Sequence, residues 1–435
     1  MIKREKYRPL TLRTLENFQV QHLARKFDFS KESRIAKLVV DYINQKMLEE
    51  EKKVGIERVY PFELYVKYQH QHIRIPLFDL SYLEPIYEGG SFADSKELVI
   101  KKGLEKLQTI NPKAKKKDLL KIINPWALQR FKGPTRYIDE LQVKPAPFEY
   151  ENNSFWQNEI NKVKPLLPAQ RFETPDLSAP QKTLKNMVET VSKETGLGKM
   201  VAQQLVEEII FLRNLCCPRI QSLKSGEMPL LLTHVKALPS EEMATQFRRH
   251  APAIITVWAP GEIKKRFRTV ASCLELLTKR IIRVCFEAYR QNALLGGQEL
   301  QWIFQISSSR ISEIIRSFQR KNHIIVPTPG TILDAGQSMT HKDIIVRLHL
   351  EGYSVSEIGR ITHHSQRSAD NYIGTFEAVM ILKLFNVPPH LMARTLQKGQ
   401  RLLSEYLNLI DKFYEDERTI RNHLIAKGVK FHTPI

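Results

Sequence analysis

Cysteine is scarce in this chain of 435 residues, which holds only Cys216, Cys217, Cys273 and Cys285. Two are adjacent and the other two stand twelve apart, a pattern that fits neither a disulfide framework nor zinc-ligand spacing. They read as reduced core thiols of a cytosolic protein. Long apolar runs are missing too. No stretch of about 18 uncharged apolar residues occurs, so no membrane span is expected. The opening MIKREKYRPL is charged and leads into no apolar segment, so no secretory signal is expected. Neither the GlyGly at 89–90 nor the TGLGK at 195–199 has Walker spacing, which excludes a phosphate-cradling nucleotide loop. His70 and His72 lack a further ligand cluster nearby, so neither a metal nor a cofactor is expected.

Acidic charge is the remaining deficit. Asp+Glu number 47 against 67 Lys+Arg, a formal net charge of +20. An excess of that size favours a polyanionic partner, and the phosphate backbone of double-stranded DNA is the usual one.

What is present includes one pattern written twice. QELQWIFQISSSRISEIIRSF at 298–318 aligns without a gap on SEIGRITHHSQRSADNYIGTF at 356–376, at an offset of 58. Glu299 meets Glu357, Leu300 meets Ile358, Ile303 meets Ile361, Ser307 meets Ser365, Ile315 meets Ile373 and Phe318 meets Phe376. Each copy reads as a short amphipathic helix, a tight polar turn and a second helix opened by a capping serine, the grammar of a helix-turn-helix. The start of the second helix in such a motif reaches base edges in the major groove. In copy one those positions are Ser308, Ser309, Arg310, Ser312 and Glu313; in copy two they are Gln366, Arg367, Asp370 and Asn371. Arginine suits guanine O6 and N7, and Asn or Gln suits adenine N6 and N7. Backbone contacts are assigned to Ser307, Arg316, Lys321, Lys342, Arg347 and Ser365, and to Lys115, Lys116 and Lys117 in a segment that interleaves basic residues with Trp126, Phe131 and Tyr137. The competing reading of the duplication is a helical hairpin whose apolar spacing is core packing alone.

The fold class expected is mainly α and multi-domain, with tandem helix-turn-helix units in the C-terminal half and a small α+β N-terminal domain. Residues 1–143 form that basic N-terminal domain. A helical hairpin spans 11–53, with Phe18, Leu23, Phe27, Ile35, Leu38, Val39, Tyr42 and Ile43 as its apolar series and Ser30 capping its second helix. A β-hairpin lies between Arg58 and Pro85, and a helix capped by Asp94 or Ser95 runs to about Leu107. Prolines crowd 144–180, which reads as a linker and the main domain boundary. Residues 181–262 form a helical connecting region, broken at TGLGK and without assignment over 218–260. Residues 263–337 hold a long basic helix, with Lys264, Lys265, Arg266, Arg268, Lys279, Arg280 and Arg283, then the first helix-turn-helix and a candidate wing in KNHIIVPTPGTILDAG. The second helix-turn-helix occupies 338–385. C-terminal helices at 386–435 present Leu402, Leu403, Tyr406, Leu409, Ile410 and Phe413 as an apolar brace or dimerisation face.

The stretches ISSSRISEIIRSF, IVPTPGTILDAG, THKDIIVRLHLEGYSVSEIGR and THHSQRSADNYIGTFEAV resemble a family of uncharacterised bacterial and archaeal proteins, often plasmid- or transposon-associated, known as a domain of unknown function. The likeness covers roughly 180–420 and implies a paired helix-turn-helix and a DNA-binding role. The second unit also resembles the resolvase and sigma-factor type of helix-turn-helix, with EGYSVSEIGRIT as the bracing part and His363 and His364 where a small residue or Gly is common.

The function these readings point to is sequence-specific binding of duplex DNA by a regulator or a plasmid or mobile-element factor located with the nucleoid. A homodimer or a protein partner is expected through the N-terminal domain or the C-terminal helices. A transposase or recombinase is the enzymatic alternative, and an origin or partition assembly protein the structural one. No catalytic residues are assigned. A two-metal nuclease needs converging carboxylates, and Asp79, Asp94, Asp139, Asp334 and Asp343 fall in no motif that brings them together.

Overall fold

Thr14 opens helix α1 (Leu15–Lys26), its hydroxyl accepting the Asn17 amide at 3.2 Å, which satisfies one of the donors left free at a helix start. The computed structural model describes residues 7, 10–27, 33–68, 70–123, 180–237, 249–263, 270–322, 324–333, 340–362, 364, 366–414 and 416–430, and these are mainly helical. They divide into two compact units, one essentially 1–318 and the other essentially 336–435, with the segments between them shared.

In the first unit α1 pairs with α2 (Ser33–Lys53), as the apolar periodicity requires. Leu38 leaves that series and is 62% exposed, and Ser30 lies outside the described residues. The β-hairpin forms as expected, β1 (Glu63–Tyr68) pairing antiparallel with β2 (Gln71–Pro76). His70 is in its turn with φ 66°, so it and His72 do not share a strand face. Helix α3 (Phe92–Ile110) is capped three residues before Asp94 and four before Ser95, the two caps expected. Ser91 is the cap and Asp94 the residue that bonds back to it, at 2.6 Å from the Ser91 amide. A short helix, α4 (Lys116–Ile123), follows.

Helices α5 (Gln181–Thr195) and α6 (Lys199–Cys216) are separated at TGLGK, where Gly196 takes the left-handed conformation that ends a helix. Their apolar faces close on α1 and α2. Leu23, Val40, Ile43, Met47, Met187, Val191, Leu205 and Ile209 form one core. Chain on both sides of the proline-rich segment therefore shares an interior, and the principal division falls near 319–336 instead of within 144–180. A buried carboxylate ties the same elements: Glu51 accepts from Arg58 and from Arg213, the latter at 2.8 Å.

Residues 218–260, without assignment from sequence, contain β3 (Glu227–His234) and β4 (His250–Thr256), antiparallel neighbours. Helix α7 (Val270–Arg290) follows, and β5 (Ala293–Leu294) completes a sheet of order β4-β3-β5. Pro229 and Pro252 disguise these strands. Proline survives where no ladder donor is needed: Pro252 is on the edge strand, and β5 pairs with β3 only at Thr233 and His234, far from Pro229. The outer edge of β4 is closed by side chains of α7 and of Gln291, the residue just after it. Gln291 bonds both the amide and the carbonyl of Ile254 at 2.9 and 2.8 Å, Glu287 accepts the Thr256 amide at 2.6 Å, and Arg283 donates to the Thr256 carbonyl at 3.1 Å. Of the cations expected on this basic helix, Arg280 and Arg283 are turned inward onto Glu262 at 2.9 and 2.7 Å; Lys264, Lys265, Arg266 and Arg268 lie outside the described residues.

Helix α8 (Gly297–Phe304) and helix α9 (Ser308–Asn322) carry copy one. The residues after them correct the wing expectation. Residues 324–328 have no regular structure and Pro329–Ile332 form one helical turn. Pro327 and Pro329 remove two ladder donors, and proline is favoured at the first position of a helix; Ile325 and Val326 are buried.

The second unit begins with α10 (Thr340–Leu350), stopped at Gly352 with φ 92°. Then come α11 (Val355–Thr362) and α12 (Gln366–Leu384), and the three helices pack on one another. Pro388 and Pro389 open α13 (Pro389–Leu396), followed by α14 (Gln400–Phe413) and α15 (Glu417–Ala426). The apolar face of α14 is used within the unit: Leu403, Tyr406, Leu409 and Ile410 join Phe376, Val379 and Met380 of α12 in one core.

Candidate nucleic-acid interface

The duplication in the sequence is also a duplication of boundaries. Both bounds of α8, and the first residue of α9, recur 58 residues later as the bounds of α11 and the start of α12. The surroundings of the two copies differ.

In copy two, Ser354 and Glu357 form a capping box: the Glu357 carboxylate accepts from the Ser354 amide at 2.9 Å and the Ser354 hydroxyl accepts the Glu357 amide at 3.3 Å. The Ser354 hydroxyl, donating to the same carboxylate at 2.7 Å, and then the Ser354 amide hold the Glu357 carboxyl below its usual range. The turn after α11 closes on Gly359, whose carbonyl accepts the His364 amide at 3.0 Å. A Cβ at 359 would stand 3.1 Å from the His364 carbonyl oxygen, so the glycine permits the close approach. This signal was readable in the EIGR of copy two, where copy one has Gln301. His364 fills the turn by going inward. It is buried, its ring edge-on to Tyr372 at 5.9 Å and its Nδ1 2.8 Å from the Thr362 carbonyl.

Helix α12 buries Ala369, Tyr372, Ile373 and Phe376 and leaves Gln366, Arg367, Asp370, Asn371 and Gly374 exposed along one face. All four sequence-assigned base contacts of copy two therefore share one solvent face at the start of the helix. Lys342 lies with its ammonium 5.6 Å from the centre of the Tyr372 ring. Arg347 is 3.7 Å from Asp343, which also binds Lys412 at 3.1 Å, so neither arginine nor aspartate stands alone. Ser365 and His363 lie outside the described residues.

Copy one is embedded. Residues 299–304 of α8 are all buried. Trp302 is packed by Tyr7, Phe78, Tyr82 and Phe92, with ring centres 5.1–6.5 Å away. Arg13 is ion-paired with Glu299, and the Tyr7 hydroxyl donates to Gln301 at 3.2 Å. On α9, Ser309, Ser312, Arg316 and Arg320 are exposed and Ser308 partly so, as is Ser307 just before the helix. Arg310, assigned to base contact from sequence, is 6% exposed and its Nη1 is 2.6 Å from Glu313. Its Nε and Nη2 have no hydrogen-bond partner among the described residues. At the 58-residue offset Arg310 meets Ser368, which is only half-buried, whereas Arg367 meets the exposed Ser309, so the register itself sets the two arginines on different faces. Lys115, Lys116 and Lys321 are exposed, and the side chain of Lys117 lies outside the described residues.

Positive charge is spread along the whole chain, roughly in proportion to length. Residues 336–435 carry 13 Lys+Arg and 10 Asp+Glu, a net +3, and residues 1–335 carry 54 and 37, a net +17.

The carboxylates weighed for metal chemistry are occupied locally. Asp79 accepts from the Ser81 amide at 2.9 Å, Asp94 caps α3 and Asp343 pairs with Lys412; Asp139 and Asp334 lie outside the described residues. Among the described residues no three His, Cys, Asp or Glu side chains are grouped to hold a metal. All four cysteines are buried, and burial pushes the Cys217 and Cys273 thiols up to about 12, far from a reactive thiolate. No helix of the described residues is long and apolar enough to cross a membrane.

Residues 193–409 match the family described as "Protein of unknown function (DUF1670)". That stretch takes in α6 to α13 and most of α14, and so both copies of the helix pair. Comparison with curated proteins and with solved structures finds no match to the chain.

Proposed function

We propose that this protein binds duplex DNA and that α11 and α12 form its sequence-reading helix-turn-helix, with α12 in the major groove. One observation carries the reading. The exposed start of α12 presents Gln366, Arg367, Asp370 and Asn371 together, side chains with base-edge chemistry on the face that a recognition helix offers. Gly359 allows the tight turn that sets α12 against α11, and α10 braces both.

Copy one is not an equivalent reader. A docked helix-turn-helix lays its first helix across the phosphates, and α8 is buried along residues 299–304. The tandem expectation thus becomes one reader and one copy absorbed into a core, on a regulator or mobile-element factor.

Footprinting of the purified protein on its own genomic neighbourhood at several salt concentrations tests this. A short protected site is expected, with binding that weakens as salt rises. Replacing Arg367 by Ala should cost about 1–3 kcal/mol on that site and relax its preference. The absence of both protection and any salt-dependent shift would overturn the proposal.

A further inference from the structure

We infer that α9 is a phosphate-tracking surface in which Arg316 is the contact and Arg310 is a positioning residue that neutralises Glu313. The inference rests on the duplex-binding reading above and assigns copy one a role within it.

The face of α9 has little to read bases with. Ser309, Ser312 and Arg316 are exposed at spacings of three and four, one line along the helix. Hydroxyls and a guanidinium are what phosphate oxygens accept from, and such contacts set register without carrying sequence. Arg316 is steadied by its Nε, which donates to the Ser312 carbonyl at 3.2 Å. Glu313 is the one acid in SSRISEIIRSFQRKN and borders that line. Its carboxylate, on a side chain 42% exposed, would repel phosphate. Arg310 approaches it from the buried side at 2.6 Å, with only 7% of its own side chain exposed. The cation is spent on cancelling the acid, and the outer line is left positive.

The test measures binding of the full chain to two duplexes of equal length, one with the protected sequence and one scrambled, from about 50 to about 200 mM salt. Arg316→Gln should weaken both duplexes by the same factor and reduce the slope of log affinity against log salt by about 0.9. Arg310→Gln should also weaken both, and Arg310→Gln with Glu313→Gln should recover the loss. If the buried Arg310 variants fail to fold, the exposed Arg316 variant still decides. A wild-type affinity and slope for Arg316→Gln would overturn the inference while leaving the reading by α12 intact. A change in preference between the two duplexes would also overturn it, by making α9 a base reader. Failure of the unaltered protein to bind either duplex would remove the function itself.

Discussion

Glu287→Gln offers a direct measurement of how α7 holds the edge of β4. The carboxylate accepts the Thr256 amide at 2.6 Å while packed between helix and strand. Burial pushes it up to about 7, against the opposing pull of the Thr256 hydrogen bond and of Arg283. The folded protein therefore holds this proton to higher pH than the unfolded chain, where a glutamate titrates near 4.5. Its contribution is fully present below pH 4.5 and is lost as pH rises through about 7. At about 1.4 kcal/mol per pH unit, the loss is about 3 kcal/mol. Glutamine keeps an oxygen for the Thr256 amide and cannot ionise. Denaturant melts should show the variant more stable than wild type by up to about 3 kcal/mol near pH 8. The advantage should vanish by about pH 4, below the unfolded value of 4.5. An equal loss of stability at both pH values would refute the reasoning, because it would mean that an ionised carboxylate is the better acceptor there.

Two further substitutions probe the first unit. Arg13→Met leaves Glu299 buried without its cation and should destabilise by about 3–5 kcal/mol, read from melting and from Trp302 fluorescence; adding Glu299→Met should recover most of it, and an unaltered melt for the single variant would refute the buried pair. Gly226→Ala places a Cβ 2.0 Å from the Trp258 carbonyl oxygen at φ 95°, and about 1–3 kcal/mol should be lost in denaturant melts; a loss within about 0.5 kcal/mol would refute the close approach of Gly226 to Trp258.

The parts legible in the sequence are those settled by local chemistry. The 58-residue recurrence survives as matched helix boundaries, and the break at TGLGK falls where Gly196 turns left-handed. The hairpin at 63–76 follows its alternation. What was not legible depends on partners distant in sequence. Pro229 and Pro252 argue against strands until the pairing shows which of their donors is unneeded. The differing exposure of Arg310 and Arg367 is the exception, since at the 58-residue offset Arg310 meets Ser368 and Arg367 meets the exposed Ser309. Two apolar runs flanking ThrProGly suggest a wing, yet the prolines favour a helical turn there. The boundary expected in the proline-rich segment gave way to a core shared by α1, α2, α5 and α6, since composition reports chain stiffness and not which faces meet.

The pairing of Arg13 with Glu299 also has a meaning in time. The two residues are 286 apart in the chain, and Tyr7 and Gln301 are 294 apart. At roughly 5–20 residues per second, the arginine waits on the order of 15 to 60 s for the carboxylate made 286 residues later. Until then the residues that will enclose Trp302 have nothing to close around. The first unit can be completed only when the ribosome has passed copy one, so a chain cut short before residue 299 should be left with its N-terminal segment undocked and open to proteases.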